Sequence, residues 1–183
     1  FPPINKFSSL SSLKINFNYF DIENIEDVFI NNNKIKLDIE YMNGSFKWLK
    51  NFNQLKSLKH DFGYTETSNL DSFGHLVNLE ELHLTNYLQE NQGSDNIDFL
   101  SNCKKIKKLH LDISSYSTEI KLKNIDAIKN FSELEELSIY GFDSKLNLDA
   151  LLSCKKMKRL FLSVNDGVRY NGEKINLKSL KNC

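Results

Sequence analysis

Only two prolines occur in the 183 residues, at positions 2 and 3, and only three cysteines, at 103, 154 and 183. No Cys-x-x-Cys pair, Gly-rich phosphate loop, His-Glu-x-x-His or Gly-x-Ser-x-Gly occurs, which leaves nucleotide, zinc-hydrolase and serine-hydrolase chemistry without a motif. Arginine is confined to 159 and 169, and 24 cationic residues balance 24 acidic ones. A chain of zero formal charge has no electrostatic reason to hold nucleic acid or an anionic membrane surface. No apolar run approaches the roughly 20 residues of a membrane helix, and no signal-peptide core is visible. The first residue is Phe1, which leaves room for a leader removed upstream. An odd number of cysteines without evident pairing fits a reducing, cytoplasmic or intracellular compartment. The sequons Asn43-Gly44-Ser45 and Asn130-Phe131-Ser132 keep a secreted or cell-surface alternative open.

What the chain has in abundance is repetition. Asn147-Leu148-Asp149 leads through Leu151, Cys154 and Met157 into an alternating Leu160-x-Leu162-x-Val164 run. The same line is written from Asn69 through Phe73, Leu76 and Leu79 to Leu82-x-Leu84. It is written again from Asn96 to Leu109-x-Leu111, and from Asn124 to Leu137-x-Ile139. Spacing of three suits a helical turn, and spacing of two suits a strand. Aligned on the first apolar residue of each alternating pair, strands begin at Leu13, Ile35, Leu58, Leu82, Leu109, Leu137 and Leu160, separated by 22, 23, 24, 27, 28 and 23 residues. A strand in every twenty-odd residues is the pattern of a solenoid. Six positions earlier stand Phe7, Phe29, Phe52, Leu76, Cys103, Phe131 and Cys154, one apolar column through the array. The cysteines read as small buried hydrophobes in that column.

The lines Leu79-x-x-Leu82-x-Leu84, Ile106-x-x-Leu109-x-Leu111 and Met157-x-x-Leu160-x-Leu162 resemble leucine-rich repeats over nearly the whole chain. Cys-x-x-Φ-x-x-Leu-x-Leu at 103 and 154 is similar to the cysteine-containing subclass of F-box substrate receptors, and Φ-Asp-x-Φ is similar to the internalin-like subclass. The resemblance implies an α/β solenoid with a concave parallel sheet of about seven strands and a helical convex side. It also implies an asparagine five residues after each first strand leucine. That asparagine stands only at 18 and 165, with Glu40, Gly63, Tyr87, Ser114 and Phe142 elsewhere. Residues 1–183 read as one array, part of a longer chain, because Leu177, Leu180 and Cys183 open a further repeat without a polar cap.

Local signals fill in the rest. In each Asn-(Leu/Ile)-Asp the asparagine can cap the free amides of a helical turn, and the Asp faces its positive end. Ser45 reads as an N-cap and Trp48 as a cover on the outer side of its helix. His60 falls in an inward column, as a buried, hydrogen-bonded histidine or as the mark of a locally shifted strand. The longest repeats spend their extra residues at 88–95 and 115–123, where Thr118-x-Ile120-x-Leu122 alternates like a short convex strand.

The outward positions carry the candidate site. The first row reads Lys14, Lys36, Lys59, His83, His110, Ser138 and Phe161; the next ends in Asp112, Tyr140 and Ser163. His83 and His110, in adjacent strands, are expected to stack about 5 Å apart. With Asp112 they could hold zinc, but exposed surface is the simpler reading. Tyr140, Phe161 and Arg159, with Tyr87 and Phe142 near the rim, put hot-spot residue types where solvent belongs. The sequence therefore points to a non-catalytic recognition or scaffolding module. It takes a protein partner on its concave face through Tyr140, Phe161, Arg159, His83, His110, Asp112, Tyr87 and Phe142. No cofactor, metal or small-molecule substrate is expected. A structural subunit of a larger assembly, or an F-box-like substrate receptor, is the alternative.

Overall fold

The computed structural model describes residues 10–16, 36–40, 44–62, 67–68, 70–86, 95–113, 121–143 and 145–164. In chain order the strands are β1 (Ser12–Asn16), β2 (Lys36–Glu40), β3 (Gly44–Ser45), β4 (Ser57–Asp61), β5 (Thr67–Ser68), β6 (Glu81–Thr85), β7 (Lys108–Asp112), β8 (Glu136–Phe142) and β9 (Arg159–Val164). Seven of them form one open parallel sheet in the order β1-β2-β4-β6-β7-β8-β9, and β3 pairs with β5 in parallel. From β2 onward, each described return path crosses the sheet's inner face on a short 3-10 helix, at Phe46–Asn51, Leu70–His75, Asp98–Leu100, Asp126–Asn130 and Asp149–Ser153. The described convex side is thus made of 3-10 helices of three to six residues, where α-helices would need more residues per repeat.

Period-two alternation puts one side of each strand in the core. Leu58, Leu82, Leu109 and Leu137 are buried, as are Leu84, Leu111 and Ile139 two residues on. Phe52, Leu76, Cys103, Phe131 and Cys154 form the apolar column behind them; Phe7 and Phe29 lie outside the described residues. Burial raises the Cys103 thiol to about 12, so it is an inert packing group, its Sγ 3.3 Å from the Phe73 carbonyl.

The second strand enters two residues later than the sequence alignment has it. Leu13 pairs with Leu37 and Ile15 with Ile39, so Leu37 stands in the first leucine column where the alignment has Ile35. A two-residue shift keeps every side chain on its own face, which is why alternation alone does not detect it. Charge decides it. The alignment from sequence sets Lys14, Lys36 and Lys59 abreast, whereas the observed register places Asp38 between Lys14 and Lys59, 3.6 and 3.9 Å from their ammonium groups. Lys36 moves to the row beside Ser12 and Ser57.

Three further expectations resolve at atomic level. Asn96, Asn124 and Asn147 each accept a hydrogen bond from the amide two residues on, at 2.9, 2.7 and 2.9 Å. Trp48 is buried rather than covering an outer surface: it joins the apolar core, with its ring edge-on to Phe52 at 5.3 Å. His60 is buried among Phe46 and Phe62, and its Nδ1–H donates to the Ile39 carbonyl at 2.8 Å. Among the described residues its Nε2 has no hydrogen-bond partner, and burial holds the imidazole down at about 4. Of the proposed convex strand, Thr118 and Ile120 lie outside the described residues. Leu122 is buried and bridges Phe142 in parallel.

That bridge accounts for a bulge. β8 shifts register between Tyr140 and Phe142, and Gly141 there has φ 82°. An added Cβ would lie 3.0 Å from the Ile113 carbonyl carbon. Gly141→Ala is expected to destabilise the protein by roughly 1–3 kcal/mol in urea titration, from left-handed strain plus the close approach. An unchanged midpoint would show that the bulge is not strained.

Candidate functional site

The outward side of the sheet gathers side chains in rows, because parallel strands in register place equivalent positions about 4.8 Å apart. The row above the first leucine column reads Lys14, Asp38, Lys59, His83, His110, Ser138 and Phe161 across the seven strands. Beyond it run Asn16, Glu40, Asp61, Thr85, Asp112, Tyr140 and Ser163.

Four rings join into one ladder. His83 and His110 stack with centroids 3.7 Å apart, closer than strand spacing alone gives. Tyr140 lies 5.2 Å from His110 and 4.7 Å from Phe161, stacked on the latter at 29°. Its own row is one over, but Ser138 leaves a gap between His110 and Phe161, and the Tyr140 ring bridges it. Ser138 is the residue that sequence reasoning passed over; a small side chain between two rings was the available signal.

Burial disfavours the charged form of both histidines of the ladder. Burial, then His110 and Lys59, lowers His83 to about 4; burial lowers His110 as well, with the Asp112 carboxylate opposing. Beside the two histidines and Ser138 runs a groove of about 360 Å³, walled on its other side by Glu81, Lys108 and Glu136. Those walls are ion-paired: Glu81 with Lys108 at 3.1 Å, and Glu136 with Arg159.

The structure therefore brings together His83, His110, Tyr140 and Phe161, with Asp112 beside Tyr140 and Arg159 at the last strand. Phe161 is 49 % exposed, the most accessible ring of the ladder. Phe142 does not join them. It is fully buried, because the bulge at Gly141 turns it inward onto Leu122 and it fills the place of the expected asparagine with a core side chain. Tyr87 lies outside the described residues. Among the described residues no three His, Cys, Asp or Glu side chains converge to hold a metal. None of the described helices is long and apolar enough to cross a membrane.

A solenoid of strand-plus-turn repeats, with leucines inward and a parallel sheet outward, is a leucine-rich-repeat fold, and solved structures agree. The chain superposes on internalin C2 of Listeria monocytogenes with a TM-score of 0.51 at 16% identity, covering 77% of this chain and 57% of that one. It superposes on a leucine-rich-repeat protein of Leptospira interrogans with a TM-score of 0.56 at 17% identity, covering 86% and 38%. The chain thus spans under two thirds of either protein. No family model and no curated protein matches the sequence.

Proposed function

We propose that this chain is a non-catalytic recognition module that binds a protein partner on the concave sheet between β6 and β9. The observation that carries the reading is the four-ring ladder His83–His110–Tyr140–Phe161 on the outward side of the sheet, its histidines lining a charged groove and its Phe161 end half exposed. Tyr140 and Phe161 are the anchors, and Arg159 and Asp112 are the polar rim. Stacked rings on a rigid sheet lose little conformational freedom on binding, which is what makes aromatic anchors effective.

Burying both anchors contributes roughly 2–4 kcal/mol by area. Tyr140→Ala/Phe161→Ala is therefore expected to weaken partner capture by about 30-fold or more. Lys14→Ala/Lys59→Ala, which removes charges already paired with Asp38, is expected to change the equilibrium by less than about threefold. Titration of each variant against the captured partner reads both. Loss of capture in the lysine pair, with the aromatic pair intact, would assign the site to the other end of the sheet.

A further inference from the structure

His83 and His110 hold the same register position on β6 and β7, and both rings stand on the outward side of the sheet. Strand spacing alone would hold them about 4.8 Å apart, yet their centroids close to 3.7 Å with the planes 36° from parallel. Each imidazole is half buried in the row between Lys59 and Ser138. Burial favours the neutral ring, which is the form with a nitrogen lone pair free for a metal. Charges face the pair from every neighbouring element. Lys59 on β4 lies 3.9 Å from Asp38 on β2, Asp112 follows His110 by two residues on β7, and Glu81, Lys108 and Glu136 stand across the groove. Glu81 and Glu136 are taken by Lys108 and Arg159.

We infer that His83 and His110 form a bidentate site on the concave sheet for a borderline divalent transition-metal ion: Zn(II), Ni(II) or Cu(II). Imidazole is a donor these ions prefer, whereas Mg(II) and Ca(II) need an oxygen cage that the pair does not offer. A nitrogen-to-metal distance of about 2.1 Å sets the two ring centroids roughly 4.6–5.3 Å apart, for angles at the metal from square to tetrahedral. Coordination therefore moves the rings from their 3.7 Å stack back to the spacing of the strands that carry them. Asp112 does not converge on the pair as a third ligand, but its carboxylate acts on both rings through space and opposes Lys59. Water fills the remaining positions on the groove side, so the site is an open one. The inference rests on the histidine pair and not on a protein partner.

Nickel(II) titrated alone into the chain, with no added histidines, tests it by nuclear magnetic resonance. Paramagnetic broadening should remove the ring resonances of His83 and His110 together. It should do so at concentrations that leave His75 visible, a single exposed histidine at the end of the Leu70–His75 helix. A chelate needs both nitrogens, so His83→Gln and His110→Gln are each expected to weaken binding by about tenfold or more, and the double variant by little beyond either alone. His75→Gln is expected to leave this binding unchanged. The ring resonance of His60, a buried core side chain, shows in every variant that the fold is intact. Zinc(II) added in competition should displace nickel and restore both resonances. Losses of no more than about twofold in each single variant, adding up in the double one, would make the two histidines independent surface groups and overturn the inference. So would broadening of His75 at the same nickel concentration as the pair.

Discussion

Lowering the pH from about 7.5 to 4 is expected to cost this protein about 3 kcal/mol of unfolding free energy through His60 alone, and His60→Leu is expected to remove that part of the pH dependence. The folded imidazole sits at about 4 against 6.5 in the unfolded chain, because burial among phenyl rings penalises its charged form and, among the described residues, its Nε2 has no hydrogen-bond partner. Between those values the unfolded chain holds a proton that the folded chain does not. Stability therefore rises with pH across that window, is complete above 6.5, and is lost as pH falls toward 4. His83 acts in the same direction by less, since it is half exposed. Glu80, lowered to about 2 by Lys107 and Lys56, acts in a separate window, losing its contribution as pH falls from 4.5 toward 2. His60→Leu sacrifices the hydrogen bond to Ile39 but restores the apolar residue that other strands carry at this position. Urea titrations at several pH values should give parallel curves above pH 7 that diverge below 6. Identical slopes of stability against pH in both proteins would show that His60 is not the source.

Replacing two leucines of one column should give very different losses. Leu109 lies in the middle of the sheet at 2 % exposure, with β6 and β8 on either side. Leu109→Ala leaves a cavity that neighbouring strands hold open, and is expected to cost about 2–5 kcal/mol. Leu160, in the equivalent position of β9, is already in contact with solvent, so Leu160→Ala is expected to cost about 1 kcal/mol or less. Chemical denaturation of the two variants reads the difference. Equal losses would mean that β9 is as enclosed as β7.

The repeats themselves were legible because every turn asks the same thing of the same column. Leu82, Leu109 and Leu137 must each fill one slot between sheet and turn, so their spacing survives loops of unequal length. The register of β2 was not legible, since Ile35, Leu37 and Ile39 satisfy the same period and only the position of Asp38 between two lysines chooses among them. The Tyr140–Phe161 contact followed from adjacent strands and neighbouring rows, but its closure to His110 required seeing how little space Ser138 takes. Phe142 misled because a strand was assumed to stay regular to its end. Gly141 breaks it one residue earlier and reverses which side Phe142 faces.

Hydroxyl-radical footprinting of the chain, alone and with its protein partner bound, tests the concave reading most directly. Oxidation of Phe161, Tyr140, His110 and His83 should fall together on binding, while Val77, 44 % exposed in the turn after the Leu70–His75 helix, should stay as reactive as before. Protection of Val77 with the four rings unchanged would contradict the account and move the partner off the sheet.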